Sequence, residues 1–598
     1  MSNKSTGKLS KIINNWILPF LLVLACVWDV NRGLDLSDTG YNLERYYNYL
    51  TYDASSMLSK FWSDYIGHLL TRMPGGNTWL GMTIYCTLVI IAIALIAYYF
   101  CSMFLNNYVV FVCEIMAIAL YWIPAVVLYD SLSFLLLEIT IVLLHFALKR
   151  DSTKLFLAAG IVMGINTMVR MPNITYIILI LWVWLYAWLY KASLKKDSGM
   201  PWVVLRTLVC LAGYLTGLGG SVLYSLRYGD LNDYLRTINK LSGGTKVAGY
   251  SLSEMAFGPI VYMAQQAKYV VLLGGVVVVG SLLRKNARRT DAVVIFFVAI
   301  AIATIMKVAY TGGVFSMEYD EYSSVKGLLA IVYLWGIVVS VINAFLQSTR
   351  QEILLTLLYM SILWVTPLGS NNGIYLNIAN SFLLFPMICY MTNQFFKKIQ
   401  KLEAHKKIIE VTAVAKLVAG IMSVIIIFQT MMFGVSFVFN DSDMAKKIEV
   451  SDMLRGVITS EKKAEAVTEL ISFLEDVDYS SLIQYCDAPG LYYLLQTQRG
   501  IQSSWPDLPT CTVENLTAQL EGADEMDELP MIILTNDMSD FYRKVFRCEE
   551  VEVDENKEAE YYYDDKVSTL MRFMSRNRYR LIYDDRSMFA VYVALGEE

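Results

Sequence analysis

Two carboxylates three residues apart, Asp35 and Asp38, stand in the run Asn31-Arg32-Gly33-Leu34-Asp35-Leu36-Ser37-Asp38-Thr39-Gly40-Tyr41-Asn42-Leu43-Glu44, just beyond the first long apolar segment. Paired acids are residue types suited to proton transfer; their plainer reading is a solvated loop. Lys307 lies inside another apolar segment, where a cation usually has a task, although its long stem also lets it reach water. Glu114 and Glu138 lie within apolar segments too and read as groups paired inside a bundle. Other chemistries find no support. There are 3 His (His68, His145 and His405), and no Cys/His spacing suits zinc. Residues 440–598 hold no nucleotide fingerprint, phosphate loop or serine-hydrolase elbow.

The elements that must position these residues are apolar. Of 598 residues, 56% are hydrophobic and 17% charged, against about a quarter charged in soluble domains. With 12 Pro and 9 Cys, collagen-like, disordered and disulfide-scaffold classes fall away as well. Crossing a hydrocarbon core takes about 20 helical residues. Thirteen runs read as spans, near 12–29, 79–101, 108–128, 131–148, 155–169, 173–190, 202–224, 259–283, 291–310, 325–346, 352–367, 375–395 and 412–438, of which the fifth and eleventh are short and read as tilted or partly re-entrant.

Basic loops stay cytoplasmic. With thirteen spans, the clusters Lys4–Lys11, Lys149–Lys154, Lys191–Lys196, Arg284–Arg289, Arg350 and Lys397–Lys407 all fall on the side of the N-terminus. The loops 30–78, 225–258, 311–324 and 367–374 then lie outside. The first run lacks a small-residue cleavage site and reads as an uncleaved span. Gly160-x-x-x-Gly164 reads as a helix contact, and Tyr46–Trp62 as an amphipathic helix on the outer leaflet. Cys26, Cys86, Cys101, Cys113, Cys210 and Cys389 are small apolar packers. Cys486, Cys511 and Cys548 are three, so at least one thiol stays unbridged.

Charge divides the chain. Residues 440–598 carry 33 Asp and Glu against 16 Lys and Arg, and the first 439 residues carry 21 against 33. The expected domains are therefore 1–439, a transmembrane unit with its first outer loop at 30–78, and 440–598, an outer domain. The latter alternates: helix 460–476, strand Leu482–Cys486, a helix from Pro489, strand Met531–Thr535, helix Asp540–Arg547, helix 563–576, and strands Arg580–Tyr583 and Met588–Ala594. That pattern predicts a small α/β layer, with the acidic stretches 521–528 and 549–560 as solvated loops. The fold class is a polytopic α-helical membrane protein of about 13 helices with a C-terminal extracytoplasmic α/β domain. Neither half looks like a nucleic-acid binder.

An acid just beyond the first span, in the setting Asp38-Thr39-Gly40-Tyr41, resembles the GT-C superfamily of integral-membrane glycosyltransferases, such as the protein O-mannosyltransferases and aminoarabinose transferases. The resemblance continues in Tyr129-Asp130-Ser131-Leu132-Ser133 after the third span, in Arg170-Met171-Pro172-Asn173 after the fifth, in Pro367-Leu368-Gly369-Ser370-Asn371-Asn372-Gly373, and in Ala488-Pro489-Gly490-Leu491-Tyr492-Tyr493. It covers the whole chain as architecture, through short motifs. It implies a polyprenyl-phosphate sugar donor, an acceptor hydroxyl on a glycan, lipid or protein, and a bacterial plasma membrane with the N-terminus cytoplasmic.

Within that reading Asp38 is the general base, Asp35 the fallback and Asp130 the second acid; Glu44 is structural. Arg170 and Lys307 would hold the donor phosphate, since a guanidinium grips phosphate with two bonds. Lys240, Lys246, Arg227 and Arg236 rank below them. Tyr41, Asn371 and Asn372 are acceptor-side candidates. The oligosaccharyltransferase branch places Asp-x-Asp in its second outer loop, whereas Asp130 has no acidic partner two residues away. Asp441-Ser442-Asp443 and Asp476-Val477-Asp478 share the spelling in another region. No cofactor or metal is therefore expected, with a divalent cation as the alternative. The rival function is a transporter, flippase or polymerase of lipid-linked glycans; against it stand the absence of an internal repeat and the gathering of charge in outer loops.

Overall fold

The computed structural model describes residues 9–52, 58–191, 199–232, 235, 252–286, 291–346, 349–368, 370, 372–406, 411–441, 444–447, 451–508, 511–535 and 565–595. Among them, nine helices are long and apolar enough to cross a membrane: Leu9–Val27, Trp79–Cys101, Tyr129–Arg150, Met171–Leu189, Met200–Ser225, Met255–Lys285, Asp291–Thr311, Lys326–Phe345 and Val411–Ser436. Asn107–Ala119 and Thr153–Thr167 are shorter apolar helices. Helices Arg350–Val365 and Ser381–Lys406 stand at the eleventh and twelfth expected segments. The chain is a multi-pass helical membrane protein with a C-terminal α/β region.

Local chemistry sets the helix ends. Thr78 and Asn106 cap the helices that follow them, and Thr349 with Glu352 forms a capping box, each satisfying backbone N–H groups that have no intrahelical partner. The expected segment 108–128 stops being helical at Ala119. Pro124 lies ahead, and the residue before a proline avoids the helical region. Residues 121–128 instead run as an irregular stretch, which delivers Trp122 and Tyr129 to one end of the bundle. Gly160 and Gly164 do make a helix contact: a Cβ there would lie 2.1 Å from the Cys210 carbonyl oxygen and 2.2 Å from that of Tyr214, so only glycine permits the approach.

One expectation fails on packing. Tyr46–Trp62 is not a single helix on a leaflet. Helix Asp38–Tyr47, the short 3-10 turns Tyr49–Thr51 and Leu58–Lys60, and the start of helix Phe61–Thr71 share it, and Tyr46, Tyr49, Leu58 and Phe61 are all buried. Tyr46 donates to the Val127 carbonyl (2.8 Å), and Tyr49 packs on Tyr65, His68 and Tyr228. The aromatics find protein rather than lipid because helix Phe61–Thr71 folds back beneath them.

The C-terminal region has strands β1 (Met444–Lys447), β2 (Ile458–Ser460), β3 (Ser481–Tyr485), β4 (Gln498–Arg499), β5 (Met531–Thr535), β6 (Tyr579–Asp584) and β7 (Phe589–Ala594). Five form a sheet in the order β4-β3-β5-β7-β6. β3 is parallel to β4 and β5, with Leu482 opposite Met531, while β7 is antiparallel to β5 and β6. All five residues of β3 and of β5 are buried, so the sheet is covered on both faces. Ile483, Tyr485, Ile532 and Leu534 face helices Val513–Asp524 and Asp565–Arg576. Leu482, Met531 and Ile533 face the opposite way into a core continuous with that of the helical bundle. Helix Val513–Asp524 takes in the first half of the expected loop 521–528, with Leu516, Leu520 and Ala523 as its buried stripe, while residues 525–528 are exposed and non-helical. The expected helix Asp540–Arg547, the acidic stretch 549–560 and Cys548 lie outside the described residues.

Candidate active site

The Asp35–Asp38 turn shows how one short loop can use two acids differently. The Asp35 carboxylate accepts from the Ser37 amide (3.1 Å), the Ser37 hydroxyl (2.6 Å), the Thr39 amide (2.6 Å) and the Asn440 side chain (3.2 Å). It is buried and caps helix Asp38–Tyr47 from outside. Behind the turn lies a cavity of about 130 Å³ walled by Asp35, Thr39, Asp29, Arg32, Trp79 and Trp122. Asp38 does not line it. Its carboxylate is exposed on the other side of the turn and forms no side-chain hydrogen bond with the described residues. Protein crowding out water, then the like charge of Asp35, push Asp38 up to about 6; Lys60 pulls the other way and Asp130 adds to the rise.

Those causes also name its surroundings. Asp130 opens helix Tyr129–Arg150 and pairs with Arg170 at 3.3 Å. Arg170, in extended backbone as the residue that precedes the 3-10 segment Met171–Ile180, lays its guanidinium over the Tyr129 ring at 5.4 Å. The Lys60 ammonium lies 5.7 Å from the same ring, 5.1 Å from the Tyr41 ring and 3.7 Å from Asp64. Burial, then the like charge of Arg45, lower Lys60 from its ordinary value. Arg45 and Asp64 form a buried ion pair at 2.6 Å beneath. Tyr41 packs on Trp505 of the C-terminal region, with ring centroids 5.5 Å apart.

A cluster of aromatic rings carries a second cation. Burial first, then the negative charges of Asp38 and Glu321, raise the Tyr322 hydroxyl above its ordinary value. Tyr322 stacks on Trp122 and meets Tyr375 edge-on, each at 4.7 Å. The Lys326 ammonium sits over the Tyr375 ring at 4.0 Å and the Tyr262 ring at 4.5 Å. No carboxylate among the described residues pairs with it. A cation resting on ring faces keeps its N–H donors for another acceptor.

The sequence candidates thus fall into three groups. Asp38, Asp130, Arg170 and Tyr41 share this region. Asp35 belongs to the turn, facing the cavity behind it. Lys307 lies exposed on helix Asp291–Thr311, with no contact to these residues among those described. Asn372 is two residues from Ile374–Ala379 and its carbonyl accepts from Tyr375. Asn371, Lys240, Lys246 and Arg236 lie outside the described residues, and Arg227 is exposed against Tyr224. Glu114 and Glu138 are buried in the bundle, without hydrogen-bond partners among the described residues. Glu44 joins Arg499 at 3.4 Å. Among the described residues no group of three His, Cys, Asp or Glu could hold a metal ion.

Sequence reasoning missed Lys60, Lys326 and Asn440. Lys326 carried one usable signal, a lone cation at the boundary of an outer loop and an apolar run. Asp441 also has a use: it accepts from the Leu34 amide at 2.9 Å.

No protein-family model matches the chain, and no curated protein sequence matches it. Three solved structures of an oligosaccharyltransferase of Archaeoglobus fulgidus are similar. The archaeal oligosaccharyltransferase AglB in complex with an inhibitory peptide and a dolichol-phosphate is 10% identical, over 97% of this chain and 74% of that one, with a TM-score of 0.43. The form tethered to an acceptor peptide containing the NVT sequon through a disulfide bond is 11% identical over 98% and 75%, TM-score 0.45. The apo form is 11% identical over 97% and 74%, TM-score 0.44.

Proposed function

We propose that this protein transfers a sugar from a polyprenyl-phosphate donor to an acceptor hydroxyl, in a recess at the extracytoplasmic face, with Asp38 as general base. The observation that carries the reading is the Asp38 carboxylate, open, without a side-chain hydrogen bond among the described residues and raised to about 6, together with the Lys60 and Lys326 cations that rest on aromatic rings. A base with that affinity is ionised at neutral pH yet still holds a proton well once it has taken one. The acceptor oxygen forms a bond to the anomeric carbon while its proton passes to Asp38. The bond from that carbon to the lipid phosphate oxygen breaks, and its electron pair leaves on the phosphate.

The negative charge then meets Lys326 and Lys60, whose interaction gains as water is excluded. Arg170 orients Asp130 and adds positive potential at the same edge. The aromatic wall of Trp122, Tyr322 and Tyr375 offers faces for sugar C–H groups. Residues 1–439 build this recess and residues 440–598 close over its loop. The segregation of basic residues supports a topology with the C-terminal region and the 30–78 loop outside and the N-terminus in the cytoplasm.

Purified protein given radiolabelled polyprenyl-phosphate sugars tests this. Release or transfer of label by the wild type, lost in a folded Asp38→Asn variant, is the expected result. No release from any donor, with membrane extract supplying acceptors, sinks the enzyme reading in favour of transport of lipid-linked glycans.

A further inference from the structure

The loop that presents Asp38 is gripped along its length by a part of the chain more than 400 residues away. The Gly33 amide donates to the Ile458 carbonyl and the Ile458 amide to Asn31, both at 2.7 Å. Asp441 accepts from the Leu34 amide at 2.9 Å. Lys463 donates to the Leu34 carbonyl (3.1 Å) and to that of Asn440 (2.9 Å). The Gly490 amide donates to the Leu36 carbonyl at 2.8 Å, and a Cβ on Gly40 would come within 2.4 Å of the Gly490 Cα. Among the described residues, Asn440 also reaches the side chains of the turn itself. The Asn440 amide donates to the Ser37 hydroxyl at 2.6 Å and to the Asp35 carboxylate at 3.2 Å, the two residues that cross-brace the turn just before Asp38.

We infer that Asn440 is a positioning residue for Asp38: it fixes the Asp35–Ser37 brace, so the exit of the last membrane helix sets where the working carboxylate stands. Asn440 is suited to this by its backbone, which has φ +49°, a left-handed conformation that asparagine adopts more readily than most residues. Its carbonyl is held by Lys463, so its side chain is presented rigidly to the turn. Displacing a reacting group by about 1 Å can cost on the order of 10²-fold in rate, and the brace is what resists such a displacement. The catalytic consequence rests on Asp38 being the base.

The test separates the two claims. Asn440→Gly removes the side chain and keeps the left-handed backbone without strain. In an Asp38→Cys background, the rate of maleimide alkylation across pH reports the exposure and local potential of position 38 with no donor or acceptor present. A several-fold faster rate with Asn440→Gly, repeated with Ser37→Ala, is expected; superimposed pH–rate profiles for all three proteins overturn the positioning role. In the otherwise native chain, Asn440→Gly should lower kcat about tenfold or more, leave the donor KM within about twofold and displace the acidic limb of the pH profile. Wild-type kcat with an unmoved limb overturns it. Absence of activity in the wild type would sink the glycosyltransferase reading while leaving the alkylation result standing.

Discussion

The two sides of one turn make an instructive comparison. Behind it, Asp35 is buried and accepts four hydrogen bonds; in front, Asp38 is open and its carboxylate accepts none among the described residues. The same contrast separates Arg45 from Lys326: the guanidinium is locked to Asp64 at 2.6 Å, the ammonium rests on two tyrosine rings. Groups whose bonding is complete hold the fold. Groups held in place with donors or acceptors unspent cost stability, and that cost makes sense where a ligand completes them.

The sharpest way to break the comparison is to remove the charge of each acid in turn. Asp38→Asn keeps the shape of the side chain and should lower sugar transfer by about 10²–10⁴-fold, the range for loss of a general base. Its elution from a sizing column and its circular dichroism should match the wild type. If transfer survives in Asp38→Asn and disappears in a folded Asp35→Asn, the two roles are reversed.

The cations come next. Lys326→Met keeps the length of the side chain without its charge. Loss of one charge-assisted phosphate contact, about 1.5–3 kcal/mol, corresponds to a roughly 10- to 100-fold rise in the donor KM, read in the same assay. Lys326→Arg should recover part of it. Lys307→Met, on the exposed side of its helix, should change KM less than twofold. A reversal of the two lysines would return the phosphate site to where the sequence alone placed it.

Why Lys307 stands out in the sequence and Lys326 does not is a matter of dimension. A cation inside an apolar run is visible along the chain; a cation over Tyr262 and Tyr375 is visible only once three elements pack. The apolar segments and strands β3, β5, β6 and β7 are legible because each repeats a local pattern of hydrophobicity. Helix Val513–Asp524 has the same kind of signal in Leu516, Leu520 and Ala523, masked by the acids around it. The burial of Tyr46, Tyr49 and Phe61 was not legible, since an aromatic stretch beside a membrane reads equally as lipid-facing or as core. Asp38 was singled out by its position after the first span, with Asp35 as the fallback. That Asp35 is fully bonded was not legible, since one of its four donors is Asn440, 405 residues away.

pH offers a smaller effect with a defined sign. A base raised to about 6 is protonated below that value, so kcat/KM should fall about tenfold per pH unit beneath pH 6 and level off above it. The free-enzyme profile measured with saturating acceptor checks this. An acidic limb near the ordinary carboxylate value would mean that Asp38 is fully hydrated, and its contrast with Asp35 would shrink to hydrogen bonding alone.

The smallest effect concerns stability, and here the two acids should move in opposite directions. Asp35→Ala strips the turn of an acceptor for four donors and should cost about 2 kcal/mol, lowering the melting temperature in detergent by a few degrees. Asp38 has a higher proton affinity in the folded chain than the usual 3.8, so between about pH 4 and pH 6 the folded state binds more protons than the unfolded one. Stability contributed by this group is therefore lost as pH rises through that window. Asp38→Asn carries no such charge, and above pH 6 it should melt higher than the wild type, with the gap closing as pH falls toward 4. Exposure of the carboxylate screens the effect, so the comparison across pH, rather than any single melting temperature, is the decisive reading. A variant that melts lower than the wild type at neutral pH would show Asp38 to be one more brace of the turn, and the difference between the two sides of the loop would disappear.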